Sequence, residues 1–221
     1  MNKPTPGNDE FVDRFMQRQA AERYRDRYRS GRHAKVNQRE RACLHQLVAG
    51  LGPLEVSLDL PCGTGRLADI LAKASRKVIL ADSSPLMLEL AKEELGETPA
   101  EYLQTNAERI DLSTGSVDLI LCHRLLSHIP AAEVRARIMK ELARVTRRYL
   151  VISCYPPGIR TRIKGLLRRV FPGSRPAKQP ATLKEYLDLA NAVGLRLVGR
   201  HTLRPAPFRA DFVVFEKANA K

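Results

Sequence analysis

Tryptophan is missing from the 221 residues, and aromatic residues make up only 5 % of them. Stacking platforms for single-stranded nucleic acid are therefore scarce. No apolar run approaches the roughly 20 residues that cross a bilayer. The N-terminal MNKPTPGNDEFVDRF has no apolar signal core, so nothing marks the chain for secretion. The four cysteines, Cys43, Cys62, Cys122 and Cys154, form no Cys-x-x-Cys pair. That argues against a zinc site and against a disulfide framework. Acid is in short supply as well: 24 Asp and Glu face 38 Lys and Arg, a net charge of +14. Residues 156–180 hold seven basic side chains and no acid, and residues 1–50 hold 11 basic against 6 acidic. Such an excess attracts nucleic acid, anionic membrane or acidic substrate without choosing among them. Hydrophobic residues reach 43 %, enough for a core. The expectation is one main domain in a basic, cytoplasmic protein, with peripheral contact at the inner membrane face as an extension of it.

From Val56 onward short apolar segments alternate with helical patterns. VSLDL (56–60) and KVILA (77–81) read as strands, and RLADILAK (66–73) and PLMLELAKEEL (85–95) as the helices that follow them. EYLQT (101–105), VDLILC (117–122) and YLVISCY (149–155) continue the strands, with a helix over 134–145 carrying Val134, Ile138, Leu142 and Val145 on one stripe. Strands alternating with helices imply a parallel sheet covered on both faces. The rhythm then breaks. Thr182 and Glu185 form a capping box for a helix that Gly194 ends. LRLVGRH (195–201) and DFVVFEK (211–217) are strands with only a loop between them, which makes them antiparallel. Before Leu51 the chain reads as two helices, 10–29 and 38–51, parted by a turn at Ser30–His33. This divides the chain into an N-terminal helical cap, 1–50, and a main domain, 51–221, with a basic insertion at 156–180.

The first strand runs directly into Pro61-Cys62-Gly63-Thr64-Gly65. Glycine at a strand-to-helix turn lets the backbone approach a ligand, and the helix that follows offers free N–H groups. Asp82 ends the second strand 17 residues after Gly65, beside the same crevice, where a carboxylate accepts ribose hydroxyls. The Gly-x-Gly-x-x-Ala pattern also fits a dinucleotide site. Asp59, four residues before Gly63, turns the reading away from it, since an anion there repels a pyrophosphate and suits a cationic head. The turn also lacks a third glycine for close helix packing.

Leu58-Asp59-Leu60-Pro61-Cys62-Gly63-Thr64-Gly65, together with Asp82, Asn106-Ala107-Glu108 and the stretch Ser116 to Ile129, resembles the class I S-adenosylmethionine-dependent methyltransferases over roughly residues 52–217. The resemblance implies a three-layer α/β/α sandwich. Its seven-stranded sheet would run 3-2-1-4-5-7-6, mostly parallel with the last strand antiparallel. The implied cofactor is S-adenosyl-L-methionine, contacted by Asp59, Leu60, Cys62, Gly63, Gly65, Arg66, Asp82, Ser83, Met87, Asn106, Ala107, Glu108 and His123, with no metal. Two positions depart from the pattern. Pro61 replaces a usual glycine and removes one N–H donor. Asn106 stands where Asp is common and still offers adenine a carbonyl oxygen.

Methyl transfer asks the protein to align the acceptor and exclude water, and a hydroxyl or ammonium acceptor also needs a base. His123 and His128, at the exit of the fourth strand, are the candidates. No Asp/Asn-Pro-Pro-aromatic tetrad follows that strand, which weighs against methylation of base nitrogens. Ile159, Ile163, Leu166, Leu167 and Val170 keep helical spacing among Arg160, Arg162, Lys164, Arg168 and Arg169. A helix over 158–171 would thus meet an anionic bilayer or a lipid-like acceptor. Tyr24, Tyr28 and Arg32 are expected on an arm that closes over the cofactor. The sequence therefore reads as a methyltransferase for a small-molecule acceptor, lipid-linked or anionic. An RNA methyltransferase and a non-catalytic cofactor-binding module are the alternatives.

Overall fold

The computed structural model describes residues 18–155, 181–204 and 210–218. The expected helix at 158–171 and the whole basic insertion, 156–180, lie outside them. So does the first part of the expected helix 10–29.

Seven strands form one sheet in the order β3-β2-β1-β4-β5-β7-β6. They are β1 (Leu54–Asp59), β2 (Ser75–Asp82), β3 (Glu101–Gln104), β4 (Val117–Cys122), β5 (Thr146–Cys154), β6 (Leu195–Arg204) and β7 (Ala210–Lys217). All pairings are parallel except those of β7, which runs antiparallel to both β5 and β6. The central strands are apolar at nearly every position because both faces are covered. Alternation sends Ile79, Ile120, Cys122, Ile152 and Phe215 to one core and Val78, Leu80, Leu121, Val151 and Phe212 to the other. Helix α5 (Ala132–Val145) and α6 (Leu183–Ala192) fill the first core. The second is filled by α2 (Gly31–Ala49), α3 (Ala68–Ala74) and α4 (Pro85–Leu95). These layers are the expected three-layer sandwich with the expected strand order.

Local signals set several boundaries. Ser84 accepts from the Met87 N–H at 3.3 Å, with Pro85 opening α4, and Thr182 accepts from the Glu185 N–H at 3.2 Å to start α6. Two boundaries correct the sequence reading. Residues 61–67 are not helical, so α3 begins at Ala68 rather than Arg66, and the freed loop becomes a wall of the site. The turn between the N-terminal helices falls at Arg27–Ser30, and Ser30–His33 instead opens α2. Its first half escaped the apolar pattern because Asn37 and Glu40 face a polar site instead of a core.

Helix α1 (Arg18–Asp26) lies against α4. Ala21 packs on Met87 and Leu90, and Arg18, Arg25 and Arg29 pair with Glu89, Glu93 and Glu94.

Candidate active site

The carboxyl ends of β1, β2 and β4 open into a cavity of about 310 Å³. Parallel sheets place ligands at this end. Its floor is Asp59 and the turn 60–64. One side is Asp82 to Ser84 with Met87 and Thr105 to Ala107, and the other is His123 to Leu125 with His128 and Ile129. Tyr24, Arg27 and Tyr28 close it from the N-terminal side.

Asp82 links two turns. Its carboxylate accepts from Gly63 N–H and from Ser84 N–H, each at 3.0 Å. Burial raises its pKa, while those N–H groups and that of Ser83 oppose the rise. Asp59 is 2 % exposed, and its Oδ1 has no hydrogen-bond partner. Burial pushes its carboxyl up to about 8, Arg66 resists, and Asp82 adds to the rise. An unpartnered buried carboxyl oxygen at a cavity floor is a group awaiting a donor. It fits a ligand with an ammonium or sulfonium head, and Asp82 fits a ribose.

The glycines divide the work differently from the expectation. Gly63 (φ 54°) lines the cavity, and a Cβ there would sit 3.6 Å from the Tyr24 ring. Gly65 (φ 72°) does not line it. A Cβ on Gly65 would stand 2.6 Å from Leu95 Cδ1, so this residue allows α4 to pack against the turn. The close-packing glycine that seemed missing is Gly65 itself. Gly65→Ala should cost about 1–3 kcal/mol of stability through overpacking and the left-handed backbone. Urea unfolding checks this, and an unchanged midpoint would contradict the packing role.

Glu108 is a second correction. It lies outside the cavity wall and pairs with Arg137 at 2.7 Å. Asn106 lines the cavity, but its Oδ1 accepts from Glu108 N–H at 2.8 Å in a local turn, leaving one lone pair and the amide N–H groups for a ligand. Leu60, Cys62, Arg66, Ser83, Met87 and Ala107 are all on the wall. Burial raises the Cys62 thiol well above its ordinary range, which removes it as a nucleophile at neutral pH.

Glu40 of α2 organises the other side. It is 2 % exposed and receives Arg66 at 2.8 Å, Arg124 at 2.6 Å and the Tyr155 hydroxyl at 3.1 Å. Burial alone would raise its pKa; His123, Arg66 and Arg124 overcome this and hold it well below the carboxylate range. Arg124 has a positive φ of 61°, unusual for a side-chain-bearing residue. Its Nε donates to His123 Nε2 at 3.2 Å and its Nη1 to Tyr28 at 2.6 Å, while its N–H donates to Ser153 Oγ at 2.7 Å. The strained turn thus aims the guanidinium at the cap. Glu40, Arg124 and Tyr155 carry no motif, so sequence reasoning passed over them.

The two histidines part company here. Burial, then Arg66 and Arg124, lower His123 to about 4 against the pull of Glu40. Nε2 of His123 lies 3.2 Å from Arg124 Nε and 3.4 Å from Glu40 Oε2, while its Nδ1 is buried without a partner. An imidazole lowered this far is a poor proton acceptor at neutral pH, contrary to the expectation of a base. His128 is exposed on the cavity wall, where an incoming group can reach it.

Residues 58–152 match the family model of a methyltransferase domain. The mitochondrial ubiquinone biosynthesis O-methyltransferase of Schizosaccharomyces pombe is 31 % identical over 77 residues, which are 33 % of this chain and 28 % of that protein. The match thus spans less than a third of the curated relative's length. Among solved structures, the magnesium protoporphyrin IX methyltransferase of Synechocystis PCC 6803 with bound SAH superposes with a TM-score of 0.73 at 19 % identity, covering 94 % of this chain and 98 % of that one. An N-methyltransferase of Bradyrhizobium japonicum reaches a TM-score of 0.65 at 13 % identity, covering 83 % and 97 %. At these identities the likeness is one of fold.

Proposed function

We propose that this chain is a class I S-adenosylmethionine-dependent methyltransferase that transfers a methyl group from S-adenosyl-L-methionine to a small-molecule acceptor, a reading supported by the match of residues 58–152 to a methyltransferase domain. The observation that carries the reading is the pair of buried carboxyls at one cavity, Asp59 with its unpartnered oxygen and Asp82 with its fixed one. When bound, the cofactor supplies a methyl group already activated on a sulfonium. Asp82 accepts the ribose hydroxyls through its remaining lone pairs. Asp59 faces the cationic methionine head. Thr105, Asn106 and Ala107 border the adenine, and Leu60, Leu125 and Ile129 supply apolar wall that excludes water. His128 takes the acceptor's proton where the acceptor carries one, and His123 positions Arg124 without exchanging a proton.

Tyr24, Arg27 and Tyr28 line the cavity from the N-terminal side, which supports a small acceptor. The similar proteins named for ubiquinone biosynthesis and for magnesium protoporphyrin IX point the same way. A lipid-linked acceptor is the finer form of this reading. Asp82→Ala should weaken S-adenosylmethionine binding by about 1.5–3 kcal/mol, the range for hydrogen bonds to a charged group. Calorimetry tests it: unchanged affinity in the variant, or binding of NAD by the wild type, would overturn the assignment. Mass spectrometry of metabolite extracts incubated with enzyme and methyl-labelled cofactor would identify the acceptor.

A further inference from the structure

The arginines of the cavity are not equivalent. Arg66 is engaged by Asn37 and Glu40, and Arg124 by Tyr28, Glu40 and His123. Arg27 lines the same cavity and is exposed. Its Nε donates to His33 Nε2 at 3.1 Å, an imidazole and not a carboxylate. His33 sits beside Arg32 on the first turn of α2, and its ring meets Tyr28 at 6.1 Å. Strand β6 packs against α2, and desolvation, then Arg27, Arg124, Arg32 and Arg204, lower the His33 pKa, in keeping with cations on this side of the cap. Arg204 ends β6, whose Leu203 shares a core with Leu44 and Leu47 of α2.

Three elements therefore bring cations to one rim. Among the described residues no carboxylate pairs with Arg27, Arg32 or Arg204. The contrast is with α1 and α4, where each gathered arginine meets a glutamate. Gathered like charges repel, and they are complementary to a multiply charged anion. A single carboxylate would leave most of this charge unmatched, whereas a phosphate carries up to two charges and several acceptor oxygens.

We infer that the rim formed by Arg27, Arg32, His33 and Arg204 is a docking subsite for a phosphate group carried by the methyl acceptor. Only the word acceptor rests on the methyltransferase reading; anion docking follows from the rim. The group comes either from a soluble phosphorylated molecule or from a lipid headgroup. Its rival for Arg27 is the carboxylate of the cofactor itself.

The full chain is titrated with pyrophosphate by calorimetry, at low and at moderate salt, with and without saturating S-adenosylhomocysteine. Pyrophosphate should bind, lose about fivefold or more in affinity as salt rises, and hold its affinity within about twofold when the nucleoside is present. Arg32→Gln combined with Arg204→Gln should weaken it by about tenfold, with S-adenosylhomocysteine affinity and the thermal midpoint unchanged. Sedimentation with vesicles of phosphatidylcholine, with and without phosphatidic acid, separates the sources. Capture by the anionic vesicles that the double variant loses assigns a lipid headgroup; pyrophosphate binding without capture assigns a soluble phosphate. The proposal is overturned if wild type binds neither probe, if the double variant binds like wild type, or if S-adenosylhomocysteine displaces pyrophosphate. Failure of S-adenosylhomocysteine to bind overturns the methyltransferase reading instead, and pyrophosphate still decides the subsite.

Discussion

Asp59→Asn is expected to raise the stability of the ligand-free protein at pH 8 while removing most of its affinity for S-adenosylmethionine. The carboxyl is buried and is pushed up to about 8, against about 3.9 in an unfolded chain. Between those values the folded state keeps a proton that the unfolded state releases. Stability therefore falls as pH rises from about 4 to 8, because there the native state binds more protons. Asn cannot ionise, so the variant loses this decline and gains about 2–4 kcal/mol near pH 8. Binding moves the other way. A cationic head demands the ionised carboxylate, so binding to wild type at pH 7 should release close to one proton. The variant should bind about 10- to 100-fold more weakly, a charged hydrogen bond having been lost. Thermal unfolding across pH 4–9 and calorimetry in two buffers of different ionisation enthalpy read both effects. A variant with wild-type pH dependence would remove Asp59 from the account.

Glu40→Ala carries the second large effect. Glu40 is the carboxylate that Arg66 and Arg124 share, and their side chains are only 12 % and 23 % exposed. Removing one partner of a buried ion pair leaves charge uncompensated and costs about 3–5 kcal/mol. For a chain of this size that is a fall of about 6–20 °C in the thermal midpoint. The loss should also free Tyr28 and the cap from β4, because Arg124 holds Tyr28 in the same fork. Methyl transfer should fall further than cofactor affinity, since Asp59 and Asp82 are untouched. A midpoint within 2 °C of wild type, equivalent to less than about 1 kcal/mol, would show that the cluster contributes no net stability.

The strands and the helices after Leu51 were legible because each carries a local pattern that its packing then satisfies. The short apolar run VDLILC, capping at Ser84 and Thr182, and the short β6–β7 connection each pointed to the observed structure. The cavity was legible through Asp59, Gly63 and Asp82, all of which line it. Gly65 and Glu108 stand off the cavity wall although their sequence neighbours line it: Gly65 packs against α4 and Glu108 pairs with Arg137. Glu40 was invisible for another reason. It lies 84 residues from Arg124 and 115 from Tyr155, and no local pattern records a contact of that range. His123 resembled a base in sequence; only its burial beside Arg66 and Arg124 lowers it out of that role.

Asp82 has a consequence for the speed and cost of recognition. By holding Gly63 and Ser84 at once, it fixes the turn after β1 to the turn after β2 before any ligand arrives. The two walls are ordered during folding, together with the sheet that bears them. The nucleoside proposed for this site would then meet a carboxylate already held in one orientation. The conformational entropy that loose loops would lose on binding has been removed from the association step. Binding at this end of the cavity should be close to rigid docking, and adaptation to different acceptors is left to the cap and the rim.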